Sequence, residues 1–190
     1  MDWKFIATNV ALILGLRKGE LRGLRWVDLD RDTATLKITQ QVQTANHTTS
    51  VATLKSAASR CTLPVPPGLL ARLDQHQQQQ ALEPDHASMG WEDHGLIFAS
   101  MVGTPIVPRN LNRHFYTVLA ATQLTHIRVH DLRHTCATQL SGLGVSEVLI
   151  AAILGHSGSS VTRRYTCNSG IVTTTDRGAR AVIESVVTHQ

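Results

Sequence analysis

Leu111, Phe115, Val118 and Leu119 recur at i, i+4, i+7 and i+8, and Leu132, Cys136, Leu140 and Leu143 follow in a second segment with nearly the same spacing. This period places apolar side chains along one stripe of a helix, and two such stripes must bury against each other or against a shared core. Two further helices are predicted near the N-terminus. One is an apolar run from Phe5 to Leu14, stopped by Gly15, and the other is a short segment from Lys18 to Leu24. Between these helical regions the pattern changes. TATLKITQQVQT, SVATLKSAASR and CTLPVP are rich in Thr, Val and Ile and alternate with polar residues. They predict two or three short antiparallel strands, closed by Pro64 and Pro66. LLARLDQHQQQQAL predicts a helix with Leu69, Leu70, Leu73 and Ala81 inward and its glutamines in solvent. LIFAS is a short buried strand or turn. Ser146 caps a helix over VLIAAIL that Gly155 ends, Ser159 or Ser160 caps a further short helix containing Tyr165, and an amphipathic helix is predicted from Asp176 to Val187. The expected fold is mainly α with one small antiparallel β-sheet, an α+β single domain.

Composition narrows the function classes. The chain has 190 residues, is 42% hydrophobic and carries a net charge of +4. That charge is compatible with nucleic acid without arguing for it. Five acids and no Lys or Arg lie between Asp74 and Asp93, so this stretch is a poor surface for DNA. The apolar run at the start is short and carries Asp2 and Lys4, so no membrane span or signal peptide is expected. Cys61, Cys136 and Cys167 are far apart and form no C-x-x-C pair, which argues against a disulfide framework. A reduced, soluble, cytosolic protein is expected.

The chemistry-bearing residues are scattered, and each alone is weak. In HDLRHT, His130 and Arg133 are three apart and so share a helix face, with Leu132, Cys136, Leu140 and Leu143 turned largely the other way. Arg offers a planar fork that fits a phosphate, and His passes protons near neutral pH. Alone, H-x-x-R reads as a surface pair in salt bridges. His126, His130 and His134 lie at i, i+4 and i+8, which also reads as a metal stripe, although no carboxylate base accompanies it. LGHSG sets His156 in an exposed turn, and VTRRYTC sets Tyr165 behind Arg163 and Arg164. GLRKGEL puts Arg17 at a Gly-ended helix terminus with Glu20 close enough to orient it. Lys55 lies in the hairpin region, with Arg60 as a competing basic residue. Together these residues supply two guanidiniums, two imidazoles, an ammonium and a phenol, an inventory for attack on a phosphodiester without metal.

In this order, GLRKGEL, a hairpin Lys, HDLRHT, LGHSG and a Tyr nine residues on, the chain resembles the catalytic domain of the tyrosine recombinases, the phage integrase family. The resemblance runs from about Ile6 to Tyr165. It implies that Arg17, Lys55, His130, Arg133, His156 and Tyr165 are catalytic. Tyr165 would be the nucleophile, Arg17, Arg133 and His156 would bind the phosphate, and Glu20 would support Arg17. It implies metal-independent DNA cleavage and rejoining through a covalent 3′-phosphotyrosyl intermediate, with no cofactor. Double-stranded DNA is the expected partner, bound by a homo-tetramer and helped by accessory DNA-bending proteins. A cytoplasmic enzyme of a phage or other mobile element is expected. The chain starts sixteen residues before Arg17. Residues 1–190 are therefore expected to be a single catalytic domain without the family's preceding helix and N-terminal core-binding domain. Two alternatives stand beside this reading: a type IB topoisomerase-like relaxing enzyme, and a truncated, inactive DNA-binding module.

Overall fold

The computed structural model describes residues 2–45, 48–54, 61–82, 90–122 and 127–154. Lys55, Arg60, His126, His156, Tyr165 and the helices expected after Gly155 lie outside the described residues.

Helix α1, Trp3–Leu14, starts where the Asp2 carboxylate accepts the Lys4 N–H at 3.1 Å, and it stops at Gly15, whose φ of 60° is left-handed. Ile6, Val10 and Leu14 are buried along one stripe. This helix packs against all four of the helices that frame the core: α2 (Lys18–Arg22), α3 (Pro67–Gln80), α4 (Pro108–Thr122) and α5 (Asp131–Gly142). Helix α6, Glu147–Ile153, joins α5 in a smaller cluster of Cys136, Leu140, Ile150 and Leu154. Among the described residues, no helix is long and apolar enough to cross a membrane.

Gly15 stands where α1, α5 and α6 converge. A Cβ there would run into Leu154 Cδ2 and stand 3.2 Å from Cys136 Sγ. Overpacking and a left-handed φ together make Gly15→Ala expected to cost about 2–4 kcal/mol. Urea unfolding checks this, and a midpoint equal to wild type would mean that Leu154 simply moves aside.

The strands form two small sheets rather than one. β1 (Leu29–Asp30), β2 (Thr35–Ile38) and β5 (Cys61–Pro64) make a three-stranded antiparallel sheet in the order β1-β2-β5, with Leu36 opposite both Leu29 and Leu63. β3 (Gln40–Ala45) and β4 (Thr48–Thr53) form a separate hairpin. The break falls at Thr39, whose hydroxyl donates to Asp28 and accepts from Arg25, both at 3.1 Å. Its carbonyl accepts the N–H of buried Leu54 at 3.4 Å. The hairpin thus leaves and rejoins the domain at one anchored point. It lies on α2, close enough that a Cβ at Gly19 or Gly23 would be 3.1 Å from Val42 O or 3.0 Å from Gln40 O respectively.

Several expectations shift at the helix ends. α2 stops at Arg22 rather than Leu24, because Gly23 closes it by donating to Glu20 O. Leu143 is 43% exposed, since α5 ends at Gly142 and Leu143 only caps it. In α3 the buried stripe is Leu69, Leu73, His76 and Gln80, while Leu70 is half-buried and Ala81 exposed. The glutamine run is therefore not wholly solvated. Gln80 accepts the Trp26 indole N–H at 2.7 Å and donates to Leu96 O at 3.2 Å.

His76 lies flat on Phe98 with ring centroids 5.4 Å apart, and its Nε2–H donates to Ile97 O at 2.6 Å. Burial lowers its pKa below the ordinary imidazole value, against the Ile97 carbonyl, which raises it. The unfolded chain therefore binds this proton more readily than the folded one. Stability should fall as pH drops through the unfolded value near ~6.5 and go on falling to the depressed folded value. His76→Gln should flatten the fall in denaturation midpoint between pH 7.5 and pH 5.5, and an identical slope would assign it to other groups such as His114 on α4, whose pKa burial also lowers.

Candidate active site

Arg17 caps the N-terminus of α2 in an extended conformation. Glu20, one turn on and buried, holds it twice. Its Oε2 accepts the Arg17 backbone N–H at 2.7 Å and its Oε1 accepts the Arg17 Nη1–H at 2.8 Å. The Arg17 side chain stays 46% exposed against 9% for Glu20. One carboxylate thus fixes both the backbone and the head of the arginine.

Arg133 does not share a solvent face with His130, contrary to the helical expectation. It is 5% exposed, on the same side of α5 as Leu132, Cys136 and Leu140. The reason is its partners. Nη1 donates to Gly15 O at 2.7 Å and Nη2 donates to Leu154 O. Gly15 caps α1 and Leu154 follows α6, so the guanidinium fills the negative ends of two helices and satisfies carbonyls left over by both. His130 instead sits exposed at the N-cap of α5, where its carbonyl accepts the Arg133 N–H at 3.2 Å. The preceding turn is closed by Asp131, whose carboxylate accepts the Arg128 N–H at 2.7 Å.

Gly15 and Arg17 are two residues apart, so the Arg133 fork anchors the turn that carries Arg17. The two guanidiniums feel each other. Arg133 has its pKa lowered first by burial and next by repulsion from Arg17, with Glu20 opposing. Two like charges held together with one buried carboxylate form a site that gains from an incoming anion. Arg133 also ties down Leu154, two residues before His156 in the chain. Of the seven residues expected at the site, Arg17, Glu20, His130 and Arg133 are described, and they come from the α1–α2 turn and the start of α5. Lys55, His156 and Tyr165 fall outside.

The metal stripe is described only in part. The rings of His130 and His134 stand perpendicular with centroids 5.2 Å apart. Among the described residues no group of three His, Cys, Asp or Glu is placed to hold a metal ion. The adjacent Cys136 thiol is buried, donates weakly to Ile13 O at 3.6 Å, and has its pKa pushed up to about 11 by burial, so it is no nucleophile.

One polar residue went unnoticed in the sequence. Arg22 is 3% exposed. Its only outward signal is its place between Leu21 and Gly23-Leu24, in a run that is buried throughout.

The profile of the phage integrase family matches residues 3–170, and the chain belongs to this family. It is 34% identical over 164 residues to an integrase of Streptomyces ambofaciens, covering 80% of this chain and 41% of that one. It is 28% identical over 160 residues to a tyrosine recombinase XerC-like protein of Caldanaerobacter subterraneus subsp. tengcongensis, covering 78% of this chain and again 41% of the relative. The chain therefore spans less than half the length of these relatives. The fold matches that of the Tn1549 transposon integrase, solved in complex with circular intermediate DNA, with a TM-score of 0.68 at 19% identity over 94% of this chain and 60% of the other. XerA recombinase aligns with a TM-score of 0.62 at 19% identity, over 99% of this chain and 58% of the other.

Proposed function

We propose that residues 1–190 act as the catalytic domain of a site-specific DNA recombinase, an integrase that cuts and rejoins double-stranded DNA without metal or cofactor. The observation that carries this reading is the Arg133 fork, which grips Gly15 O and Leu154 O and so anchors the turn that carries Arg17, inside the stretch matched by the family.

The Tyr165 oxygen bonds to the scissile phosphorus as the bond from phosphorus to the 5′-oxygen breaks, leaving the DNA 3′-phosphate on the enzyme. His130, exposed at the head of α5, takes the phenol proton. Arg17, Arg133 and His156 face the charge that grows on the non-bridging oxygens. Lys55 gives a proton to the departing 5′-oxygen. Attack by the 5′-hydroxyl of another strand reverses these steps and completes the exchange. The DNA-bound form is a homo-tetramer in the cytoplasm, assisted by DNA-bending proteins.

Incubation with two distinguishable nicked duplexes tests the reading. Hybrid product strands are expected. Relaxation of a supercoiled plasmid in a parallel incubation, without hybrids from the duplexes, would favour a type IB topoisomerase-like enzyme, and retardation without any covalent adduct would favour a binding module.

A further inference from the structure

Arg22 is a buried guanidinium at the C-terminal end of α2, and no carboxylate among the described residues pairs with it. Burial alone lowers its pKa to about 10, so it remains charged at neutral pH. Its donors go to three acceptors on two separate pieces of chain. Nε bonds Ile106 O ahead of α4, Nη1 bonds Val42 O at 3.4 Å on β3, and Nη2 bonds Thr44 Oγ1 at 3.2 Å further along β3. An apolar side chain of the same length would fill this space without burying a charge. What it would not do is fix the rotation of α2 against two neighbours at once.

That rotation matters because α2 has five residues, with Arg17 capping one end and Arg22 the last residue at the other, about 7 Å away along the axis. The turn before α2 is gripped by Arg133 and its far end by Arg22. Arg17 is tied to this helix through Glu20, so a helix free to turn would carry the Arg17 guanidinium with it. We propose that Arg22 is a positioning residue: by clamping α2 to the β3–β4 hairpin and to the Ile106 turn, it holds the Arg17 guanidinium at the scissile phosphate. This rests on the recombinase reading given above, and its test separates the two.

The test compares covalent adduct formation by this chain on a nicked duplex with an ordinary scissile phosphate and on one carrying a methylphosphonate there. The methyl group removes the negative charge that guanidiniums stabilise. Arg22→Met is expected to slow the phosphate substrate by ~10–100-fold and the methylphosphonate by no more than ~3-fold, because a small misplacement of a positioned group is what is lost. Equal slowing on both substrates would overturn the proposal and make Arg22 merely structural. Arg17→Ala should show the same narrowing. If it does not, the phosphate role of Arg17 is wrong and the proposal falls with it. Thr44→Val removes one grip from an exposed residue and leaves the core intact. It should slow the phosphate substrate by ~2–5-fold with the same narrowing, and an unchanged rate would overturn the proposal even if Arg22→Met does not fold. Hydrogen exchange reads the clamp without any chemistry. The Leu21 N–H, bonded to Arg17 O, should exchange faster in Arg22→Met while the α5 amides keep their wild-type rates. Unchanged exchange at Leu21 would contradict the clamp.

Discussion

Tyr165→Phe is expected to abolish the covalent protein–DNA adduct, a fall of more than about 10⁴-fold, while leaving the unfolding midpoint at its wild-type value. The substitution deletes one oxygen, the atom proposed to bond to phosphorus. The chain has one other tyrosine to take its place, and Tyr116 is half-buried on α4 against the core and Phe115. A phenol titrates near ~10, so the reaction at neutral pH also depends on a base, and His130→Ala should slow it less completely than Tyr165→Phe does. Denaturing gels after incubation with nicked duplex read both variants. An adduct of undiminished yield from Tyr165→Phe would exclude this residue as the nucleophile.

Arg133→Ala is expected to lose both stability and activity. Two carbonyls at helix ends, Gly15 O and Leu154 O, would be left without their donor in a site that solvent scarcely reaches. The expected cost is about 2–4 kcal/mol in denaturant unfolding. The adduct rate should fall at least ~10²–10³-fold, as for removal of one donor from an oxyanion site. Arg133→Lys separates the two effects. An ammonium keeps the charge and can reach one carbonyl, but it has no fork to hold two carbonyls and a phosphate. It should regain part of the stability and little of the rate. An Arg133→Lys enzyme within tenfold of wild type would show that charge, not geometry, is what the site requires.

The contrast between Arg17 and Arg133 shows what a sequence can carry. The Arg17–Glu20 contact spans three residues at a helix start, so capping rules alone place the two together. Likewise α1 and its Gly15 stop, and the stripe of α4, follow from a local period of 3.6. Arg133 is different. Its partners are 118 and 21 residues away, and helical spacing alone turns it toward solvent beside His130. Only the convergence of α1 and α6 on α5 makes a buried arginine favourable there. The separation into two sheets was hidden for the same reason. β2 pairs with β5 across the whole hairpin, and side-chain bonds at Thr39 decide where one sheet stops and the other starts. His76 and Gln80 sit in a polar-looking run because their polar atoms are satisfied by backbone and indole partners that the run itself does not contain.

The most direct test of the account is the identity of the bond it predicts. The chain is incubated with a nicked duplex in EDTA, digested with protease, and the DNA-bound peptide is sequenced by mass spectrometry. The predicted result is a DNA 3′-phosphate joined to Tyr165, formed at the same rate with and without the chelator, since in the proposed mechanism Arg17, Arg133 and Lys55 supply the positive charge. A 5′-linkage, attachment at another residue, or an adduct lost in EDTA and restored by a divalent ion would contradict it, the last pointing back to the His126, His130 and His134 stripe.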